Sequence, residues 1–116
     1  MATYRQCVTP AGTLHVRVAD NFVTRGLGLL VGAPLEPQEG LLIAPCASIH
    51  TLGMRYAIDV VFMDRTARVL RVCEAVGAGR MRFARRARAV LELRAGAAAA
   101  HGLVPGVELH ELAAVL

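Results

Sequence analysis

Alternating apolar and polar positions predict short β-strands at the beginning of the chain. Every second residue from Leu14 to Val18 is apolar, which is the pattern of a strand with one buried face. The Thr-Pro-Ala-Gly segment at residues 9–12 is typical of a turn with Pro10 at its second position. This turn would join the strand to a preceding one around Tyr4–Val8. The first part of the chain is therefore predicted to form a β-hairpin.

Four further apolar segments have the length and composition of buried strands. In the segment Ile58–Met63, side chains alternate between two faces, so Ile58 and Phe62 share one face and Asp59 lies on the other. The Met-Asp-Arg-Thr-Ala segment that follows can turn the chain into a partner strand around Arg68–Cys73. The predicted core sheet consists of Leu41–Ala44, Ile58–Met63, Val69–Val72 and Ala89–Leu93.

Two segments indicate short helices. Asp20 is a suitable N-cap for a helix over Asn21–Leu30, although two glycines within it each cost up to about 1 kcal/mol relative to alanine. The run Ala97–Ala100 predicts one or two helical turns, which Gly102 is placed to end. The Val-Pro-Gly-Val segment after it matches a type II turn and leads into a predicted last strand, Val107–Leu112.

Length and composition agree with one folded unit. The chain has 116 residues, near the commonest domain size, and 55% of them are hydrophobic. A mean hydropathy of +0.48 is too high for a disordered chain. About seven strands and two short helices predict a single domain, residues 1–116, of the α+β class. We expect a predominantly antiparallel sheet closed into a compact, barrel-like form.

The net charge of +4 is concentrated in one segment. We call it the arginine segment, and it contains no acidic residue; its members are Arg80, Arg82, Arg85, Arg86 and Arg88. The other eight arginines are balanced by nine acidic residues. A solvated basic surface is the preferred interpretation, and an acidic protein partner or RNA are the alternatives. Specific nucleic-acid binding is not expected, because Phe83 is the segment's one aromatic residue and no nucleic-acid motif surrounds it.

The cysteines argue against a disulfide scaffold or a zinc ribbon. Cys7, Cys46 and Cys73 are far apart and odd in number, without a Cys-x-x-Cys pair. Buried, reduced thiols are the expected state. The N-terminus shows no signal-peptide pattern, and no segment reaches the length of a membrane span. These features predict a cytoplasmic protein.

Six short sequence blocks occur in the order that characterises a known family. The central block is Ile-His-Thr-Leu-Gly-Met-Arg-Tyr-Ala-Ile-Asp-Val-Val-Phe-Met-Asp, at residues 49–64. The blocks at residues 25–30, 39–43 and 69–72 are Arg-Gly-Leu-Gly-Leu-Leu, Glu-Gly-Leu-Leu-Ile and Val-Leu-Arg-Val. The segments Ala-Val-Leu-Glu-Leu-Arg-Ala-Gly and Gly-Leu-Val-Pro-Gly-Val-Glu-Leu complete the set.

Together the blocks resemble the domain of unknown function 192 family of small uncharacterised bacterial and archaeal proteins. The resemblance runs from about Val16 to Leu112 and implies a compact β-rich domain without an established activity. The chain departs from the family where His50-Thr51 replaces Lys-Asn-Thr, and where a turn glycine is missing from Asp64–Arg68. The matching residues are Arg25, Gly26, Leu27, His50, Thr51, Met54, Asp59, Phe62, Glu92, Gly96 and Gly106.

A polar cluster inside an apolar run is the sharpest candidate site. If residues 46–50 are extended, Cys46 and His50 point to the same face, where the imidazole could activate the thiol. Asp59 could then orient the imidazole as a third catalytic member. With Met54 the same residues could instead hold copper or zinc, but their spacing is unlike that of usual zinc sites, and no metal is expected.

The preferred hypothesis is a non-enzymatic binding or accessory module for an unknown small ligand or protein, without a cofactor, because no catalytic signature is recognisable. A hydrolase or thiol enzyme using Cys46 and His50 is one alternative, and weak binding of an anionic partner or RNA through the arginine segment is another. A purely structural role is also open, with Asp59 holding backbone N–H groups or Arg55. The predicted ligand-binding residues are His50, Thr51, Met54, Asp59 and Arg25.

Overall fold

Most of the strands belong to one six-stranded sheet, and a two-stranded ribbon lies beside it. The computed structural model describes residues 3–19 and 34–116. The large sheet contains β1 (Thr3–Thr9), β2 (Gly12–Val18), β3 (Glu39–Ile43), β5 (Ile58–Met63), β6 (Val69–Val76) and β8 (Ala89–Arg94), and the ribbon contains β4 (Ser48–His50) and β7 (Met81–Phe83). The described helices are α1 (Ala97–Ala100) and α2 (His110–Ala113).

The large sheet is mostly antiparallel, as the sequence predicts. Its spatial order is β1-β2-β3-β8-β5-β6. One pair, β2 with β3, is parallel, whereas the other neighbouring pairs run antiparallel. Barrel closure is not confirmed, because β1 and β6 are the two ends of the sheet and do not pair in the described part of the chain. The chain is nevertheless compact, with a radius of gyration of 12.4 Å.

Apolar side chains cover both faces of the three central strands, β3, β8 and β5. On one face, which we call the helix-side core, residues such as Leu42, Val61 and Leu91 pack with Leu109 and Leu112 from the C-terminal segment. On the opposite face, the ribbon-side core contains Leu41, Ile43, Val60, Phe62 and Val90, with Met54 and Ile49 from the ribbon region. Burial on two faces explains why these strands are almost continuously apolar, with each large side chain contributing about 1.5–3 kcal/mol.

The predicted last strand is wrong. Within Val107–Leu112 the chain makes a single bridge, between Glu108 and Arg68, and then forms α2. Leu109 and Leu112 are both fully buried, and their three-residue spacing suits a helical turn that packs on the helix-side core. The short run therefore follows its tertiary contacts rather than its strand-like composition.

The β5–β6 turn forms without a glycine. Ala67 adopts a left-handed conformation with φ of 63°. The Asp64 carboxylate accepts hydrogen bonds from the Thr66 hydroxyl at 2.7 Å and from the amides of Thr66 and Arg68 at 2.8 and 3.1 Å. These bonds, with that of the Thr66 side chain foremost, lower the pKa of Asp64. The hydrogen bonds accepted by Asp64 thus stabilise a turn in which a glycine would adopt the left-handed conformation more easily than Ala67 does.

The predicted helix over Asn21–Leu30 lies outside the described residues.

Candidate functional site

The β4–β7 ribbon brings two separate sequence candidates together. Its register pairs Ser48 with Phe83, Ile49 with Arg82, and His50 with Met81. Because strand side chains alternate, Ile49 turns inward onto the ribbon-side core. The other face, which we call the outer ribbon face, carries Ser48, His50, Met81 and Phe83, all exposed. The sequence pattern predicts neither short strand and therefore does not link His50 to the arginine segment.

The outer ribbon face combines apolar side chains with positive charge. Met81 and Phe83 are 69% and 60% exposed, and the nearby Leu52 is 61% exposed. Arg80 and Arg85 flank β7 and are exposed as well.

No ion pair within residues 3–19 and 34–116 involves a member of the arginine segment. The guanidinium of Arg82 donates to the carbonyl of Met81 at 2.8 Å, and Arg71 of β6 donates to the carbonyl of Phe83 at 2.5 Å. The segment's charge is therefore available to a partner.

Thr51 fastens the ribbon to the turn that precedes β7. Its side chain is fully buried, and its hydroxyl donates to the carbonyl of Gly77 at 2.6 Å and accepts from the amide of Arg80 at 2.8 Å. Its backbone amide donates to the carbonyl of Arg80 at 2.8 Å, and its carbonyl accepts from the amide of Gly79 at 3.0 Å. Thr51 therefore holds the outer ribbon face in position without being part of it.

Asp59 is a buried anchor between strands and helix. Its side chain has no exposed surface. One carboxylate oxygen accepts from the amide of Ala75 at 2.8 Å, and the other accepts from the amides of Gly96 and Ala98 at 3.0 and 2.9 Å. These contacts join β5 to β6 and to the start of α1. Both oxygens are thus engaged with backbone donors.

The structure does not bring Cys46, His50 and Asp59 together. The chain bends around residues 44–47 instead of extending, so Cys46 packs against the ribbon-side core while His50 is exposed. The Cys46 thiol donates to the carbonyl of Ser48 at 3.0 Å. Asp59 pairs with Leu93 of the helix-side core, on the opposite face of the sheet. The geometry required for a thiol nucleophile oriented by this acid is therefore not present.

Two of the predicted ligand-binding residues remain, Met54 and Arg25. Met54 is buried in the ribbon-side core, where it serves packing. Arg25 lies outside the described residues. In the described part of the chain, no group of three His, Cys, Asp or Glu side chains is arranged to hold a metal ion.

Glu92 is the residue that sequence reasoning did not select as a site. It lies on β8 between Leu41 of β3 and Val60 of β5, and only 9% of it is exposed. Burial raises the pKa of its carboxyl group to about 7. Burial and then the charge of Glu92 raise the pKa of Tyr56, which packs on the same core. The signal in the sequence was an acidic residue within an apolar strand. The burial of Glu92 follows only from the tertiary structure, because β8 lies at the centre of the sheet and both faces of this strand are covered.

A second thiol, that of the buried Cys7, lies beside the exposed Glu111 of α2. Desolvation, and after it the nearby Glu111 carboxylate, raise the pKa of the Cys7 thiol to about 12. The Cys7 sulfur lies 3.6 Å from a carboxylate oxygen of Glu111. A thiol with this pKa is protonated at neutral pH and is therefore a poor nucleophile.

A comparison with models of known protein families identifies the family of this chain. A family model described as "Uncharacterized ACR", that of the domain of unknown function 192, matches residues 6–110. The chain belongs to this family. The matched residues include the ribbon, Asp59 and Glu92.

Two Pyrococcus members of the family are similar in sequence. UPF0127 protein PF1050 of Pyrococcus furiosus is 40% identical over 63 residues, which cover 49% of this chain and 52% of that protein. UPF0127 protein PH1112 of Pyrococcus horikoshii is 39% identical over 61 residues, covering 50% and 53%. The matched stretch thus spans about half the length of these relatives. Their names state no activity.

Two crystal structures share the family fold. A protein of unknown function from Novosphingobium aromaticivorans has a TM-score of 0.76 and 21% identity, with 90% of this chain and 81% of that chain covered. A proposed transcription regulator from Sinorhizobium meliloti 1021 also has a TM-score of 0.76 and 21% identity, with 91% and 90% covered. At this identity the likeness concerns the fold alone. Among residues 3–19 and 34–116, no helix has the length and apolar character needed to cross a membrane.

Proposed function

We propose that this protein is a non-enzymatic binding module whose outer ribbon face docks an acidic, partly apolar segment of another protein. The observation that carries the proposal is the exposure of Met81 and Phe83, at 69% and 60%, on a face bordered by arginines. Leu52 extends the apolar surface at the end of β4. Adjacent exposed apolar side chains with a polar rim are a mark of interaction surfaces.

Charge selects the partner's chemistry. The arginine segment contains five cations and no acid, so its field favours carboxylates. Guanidinium groups can bind a carboxylate through two parallel hydrogen bonds, which adds geometric specificity. Exposed arginines contribute mainly to the rate of encounter and to the choice of partner, whereas the apolar side chains contribute the buried area.

The composition of the face favours a protein over RNA. Methionine, phenylalanine and arginine are enriched at the centres of protein interfaces, where lysine and acidic residues are depleted. Binding of single-stranded RNA relies on several aromatic platforms, and Phe83 is the one aromatic residue in the arginine segment. His50, directly opposite Met81, can add a hydrogen bond to a partner at the centre of the face.

The proposal is tested with three anionic probes. These are a synthetic peptide that alternates Glu with Leu, an all-Glu peptide of the same length, and single-stranded poly(U). Binding is followed by fluorescence anisotropy and by amide shifts of the ribbon, at low and at physiological salt. We expect the alternating peptide to bind most tightly, to shift the amides of β4 and β7, and to bind more weakly as salt rises.

Two variants separate the apolar from the basic contribution. Replacing both Met81 and Phe83 by Thr should lower the affinity for the alternating peptide by about tenfold, or about 1.4 kcal/mol. The affinity for the all-Glu peptide should stay almost unchanged. The matched control replaces Tyr4 and Val8, which are 65% and 64% exposed on β1. Threonine preserves strand propensity at all four positions.

A charge-matched pair completes the test. The double variant Arg80→Gln with Arg85→Gln should bind both peptides more weakly. The double variant Arg5→Gln with Arg65→Gln removes the same charge elsewhere and should keep the wild-type affinity. Poly(U) binding that equals or exceeds peptide binding, and that survives the threonine variants, would contradict the proposal in favour of RNA. Equal loss from both arginine pairs would reduce the effect to net charge.

The non-enzymatic part of the proposal has its own discriminating measurement. A thiol enzyme would show rapid, selective alkylation of Cys46 by iodoacetamide at neutral pH, while a binding module would show reactivity no greater than that of a free cysteine in a peptide. A single domain over residues 1–116 and a cytoplasmic location stay predictions that accompany this function.

A further inference from the structure

The strand β1 forms one end of the large sheet, and no strand of residues 3–19 and 34–116 pairs with its other side, which we call the outer edge. Its pairing with β2 runs through seven consecutive residues without a register shift. The opposite end of the sheet, β6, is less regular, because its pairing with β5 shifts register twice and Ala75 has a φ of 48°. Such irregularities hinder an edge strand from pairing with another chain, and the β1–β2 pair has none.

The register shows which backbone groups β1 presents along its outer edge. Gln6 lies opposite His15, whose amide donates to the carbonyl of Gln38 at 2.7 Å, away from β1. Opposed residues of an antiparallel pair direct their backbone groups either toward each other or both away. Gln6 therefore directs its N–H and C=O outward. Tyr4 and Val8, two residues before and after it, do the same.

Two charged side chains occupy part of this outer edge in the single chain. The guanidinium of Arg5 donates to the carbonyl of Tyr4 at 3.1 Å. The carboxylate of Glu111 lies 3.6 Å from the Cys7 sulfur. Its own amide, and after it the amide of Val8, lower the pKa of Glu111, so the Val8 amide faces this carboxylate. Arg5 and Glu111 are both exposed, so each can exchange its backbone contact for another partner.

We propose that β1 pairs antiparallel with β1 of a second copy of this chain, centred on Gln6, and so forms a symmetric dimer with one continuous sheet. In this register Tyr4 of each copy lies opposite Val8 of the other copy. The three outward residues of each strand then exchange about six hydrogen bonds. Arg5 lies opposite Cys7 of the second copy, and therefore beside Glu111 of that copy. Such a contact uses the same surface on both copies.

Pairing exchanges hydrogen-bond partners without leaving a charge unpaired. The Val8 amide turns from Glu111 to the carbonyl of Tyr4 in the second copy, which that copy's Arg5 releases. The released guanidinium and carboxylate, which belong to different copies, then meet, and symmetry repeats this ion pair. Tyr4 and Val8, 65% and 64% exposed in the single chain, cover each other as an aromatic and β-branched cross-strand pair. Charge and shape therefore favour a second copy over an unrelated extended peptide.

The dimer contact is separate from the outer ribbon face. Arg71 of β6 donates to the carbonyl of Phe83, so the ribbon contacts the end of the sheet opposite to β1. Both outer ribbon faces therefore stay accessible in the dimer. A strand of seven residues is about 23 Å long, which places the contact at the small end of specific interfaces. We therefore expect a weak dimer that dissociates on dilution.

The test follows self-association by sedimentation equilibrium from about 10 µM to about 1 mM protein. The wild type should form a dimer and no larger species. Arg5→Glu and Glu111→Arg each bring like charges together at both ends of the contact and should lower the dimer affinity by about tenfold. Mixed in equal amounts, these two variants should form a heterodimer of nearly wild-type affinity, because both ion pairs are then restored. Arg65→Glu, at an exposed turn position, is the matched control and should associate as the wild type does.

Gln6→Pro removes the outward amide at the centre of the contact and should abolish the dimer. That amide does not bond to β2, so the monomer should keep its circular-dichroism spectrum. Gln6→Ala keeps the amide and should associate as the wild type does. The charge variants change exposed side chains, so they decide the question even where proline disturbs the fold. A monomer at every concentration, dimers undiminished by Gln6→Pro, or a mixture that associates no better than its two components would each overturn the proposal.

Discussion

At the residue scale, Asp59 combines complete burial with a full set of hydrogen-bond donors. Its two oxygens accept three hydrogen bonds, from the backbone amides of Ala75, Gly96 and Ala98. A buried carboxylate is tolerated when its hydrogen bonds replace those of water. Through these bonds Asp59 joins β5 to β6 and to the start of α1, and both of its oxygens are engaged with backbone donors.

Replacing Asp59 with Asn should therefore destabilise the fold. The amide group has one acceptor oxygen, so its NH₂ group must face a backbone N–H that previously donated to a carboxylate. We expect a loss of about 2–4 kcal/mol in the free energy of unfolding, measured by urea denaturation. Glu74→Gln, at an exposed position, should change stability by less than about 0.5 kcal/mol. A loss as small as that for Asp59→Asn would instead favour a ligand-binding role.

At the element scale, the ribbon depends on one buried hydroxyl. Strands of three residues contribute few hydrogen bonds of their own, and β4 and β7 are both this short. Thr51 compensates by joining the end of β4 to residues 77–80 through its hydroxyl and its backbone. The exposed side chains of the outer ribbon face are thereby held on a fixed support.

Thr51→Val should loosen the ribbon, because it leaves the amide of Arg80 and the carbonyl of Gly77 without their partner. We expect a loss of about 1–3 kcal/mol and at least about tenfold faster hydrogen exchange at the Arg80 amide. Thr51→Ser retains the hydroxyl and should keep most of the protection. If valine and serine accelerate exchange equally, then the lost methyl packing rather than the hydrogen bonds is responsible.

At the scale of the whole molecule, two acidic side chains, Asp64 in the β5–β6 turn and Glu92 on β8, make stability depend on pH in opposite directions. Hydrogen bonding lowers the pKa of Asp64, so the stability it contributes is present above its ordinary pKa and is lost as acid protonates it. Glu92 has the reverse sign. Its pKa is raised from 4.5 to about 7, so the folded state holds a proton that the unfolded state releases. Stability from Glu92 is complete below pH 4.5 and is lost as pH rises through 7.

The wild-type protein should therefore become less stable between about pH 5 and about pH 8, by an amount on the order of 3 kcal/mol at most. Glu92→Gln cannot ionise and should flatten this part of the profile, while Glu74→Gln should retain the wild-type slope. The measurement is urea denaturation at several pH values across this window. A wild-type slope of opposite sign, or an unchanged slope in Glu92→Gln, would show that the buried carboxyl group does not titrate as described.

Local patterns determined most of the strands and turns. The apolar run Ile58–Met63 can lower its free energy only by burying both faces, so it becomes a central strand in any compact fold. Pro105 and Gly106 have the backbone preferences of a type II turn, and Gly106 accordingly has a φ of 100°. Such preferences act between neighbouring residues and can therefore be predicted from the chain itself.

The site was decided by contacts between residues far apart in sequence. His50 meets Met81 only because β4 pairs with β7, and Asp59 meets Ala98 only because α1 packs on β5. No local pattern encodes such pairings, since each depends on which surfaces remain to be buried after the central strands have assembled. The sequence by itself determined a β-rich fold and its family. Only the tertiary structure decided that Asp59 accepts hydrogen bonds from three backbone amides, that His50 lies opposite Met81 beside the arginine segment, and that Glu92 is largely buried on β8.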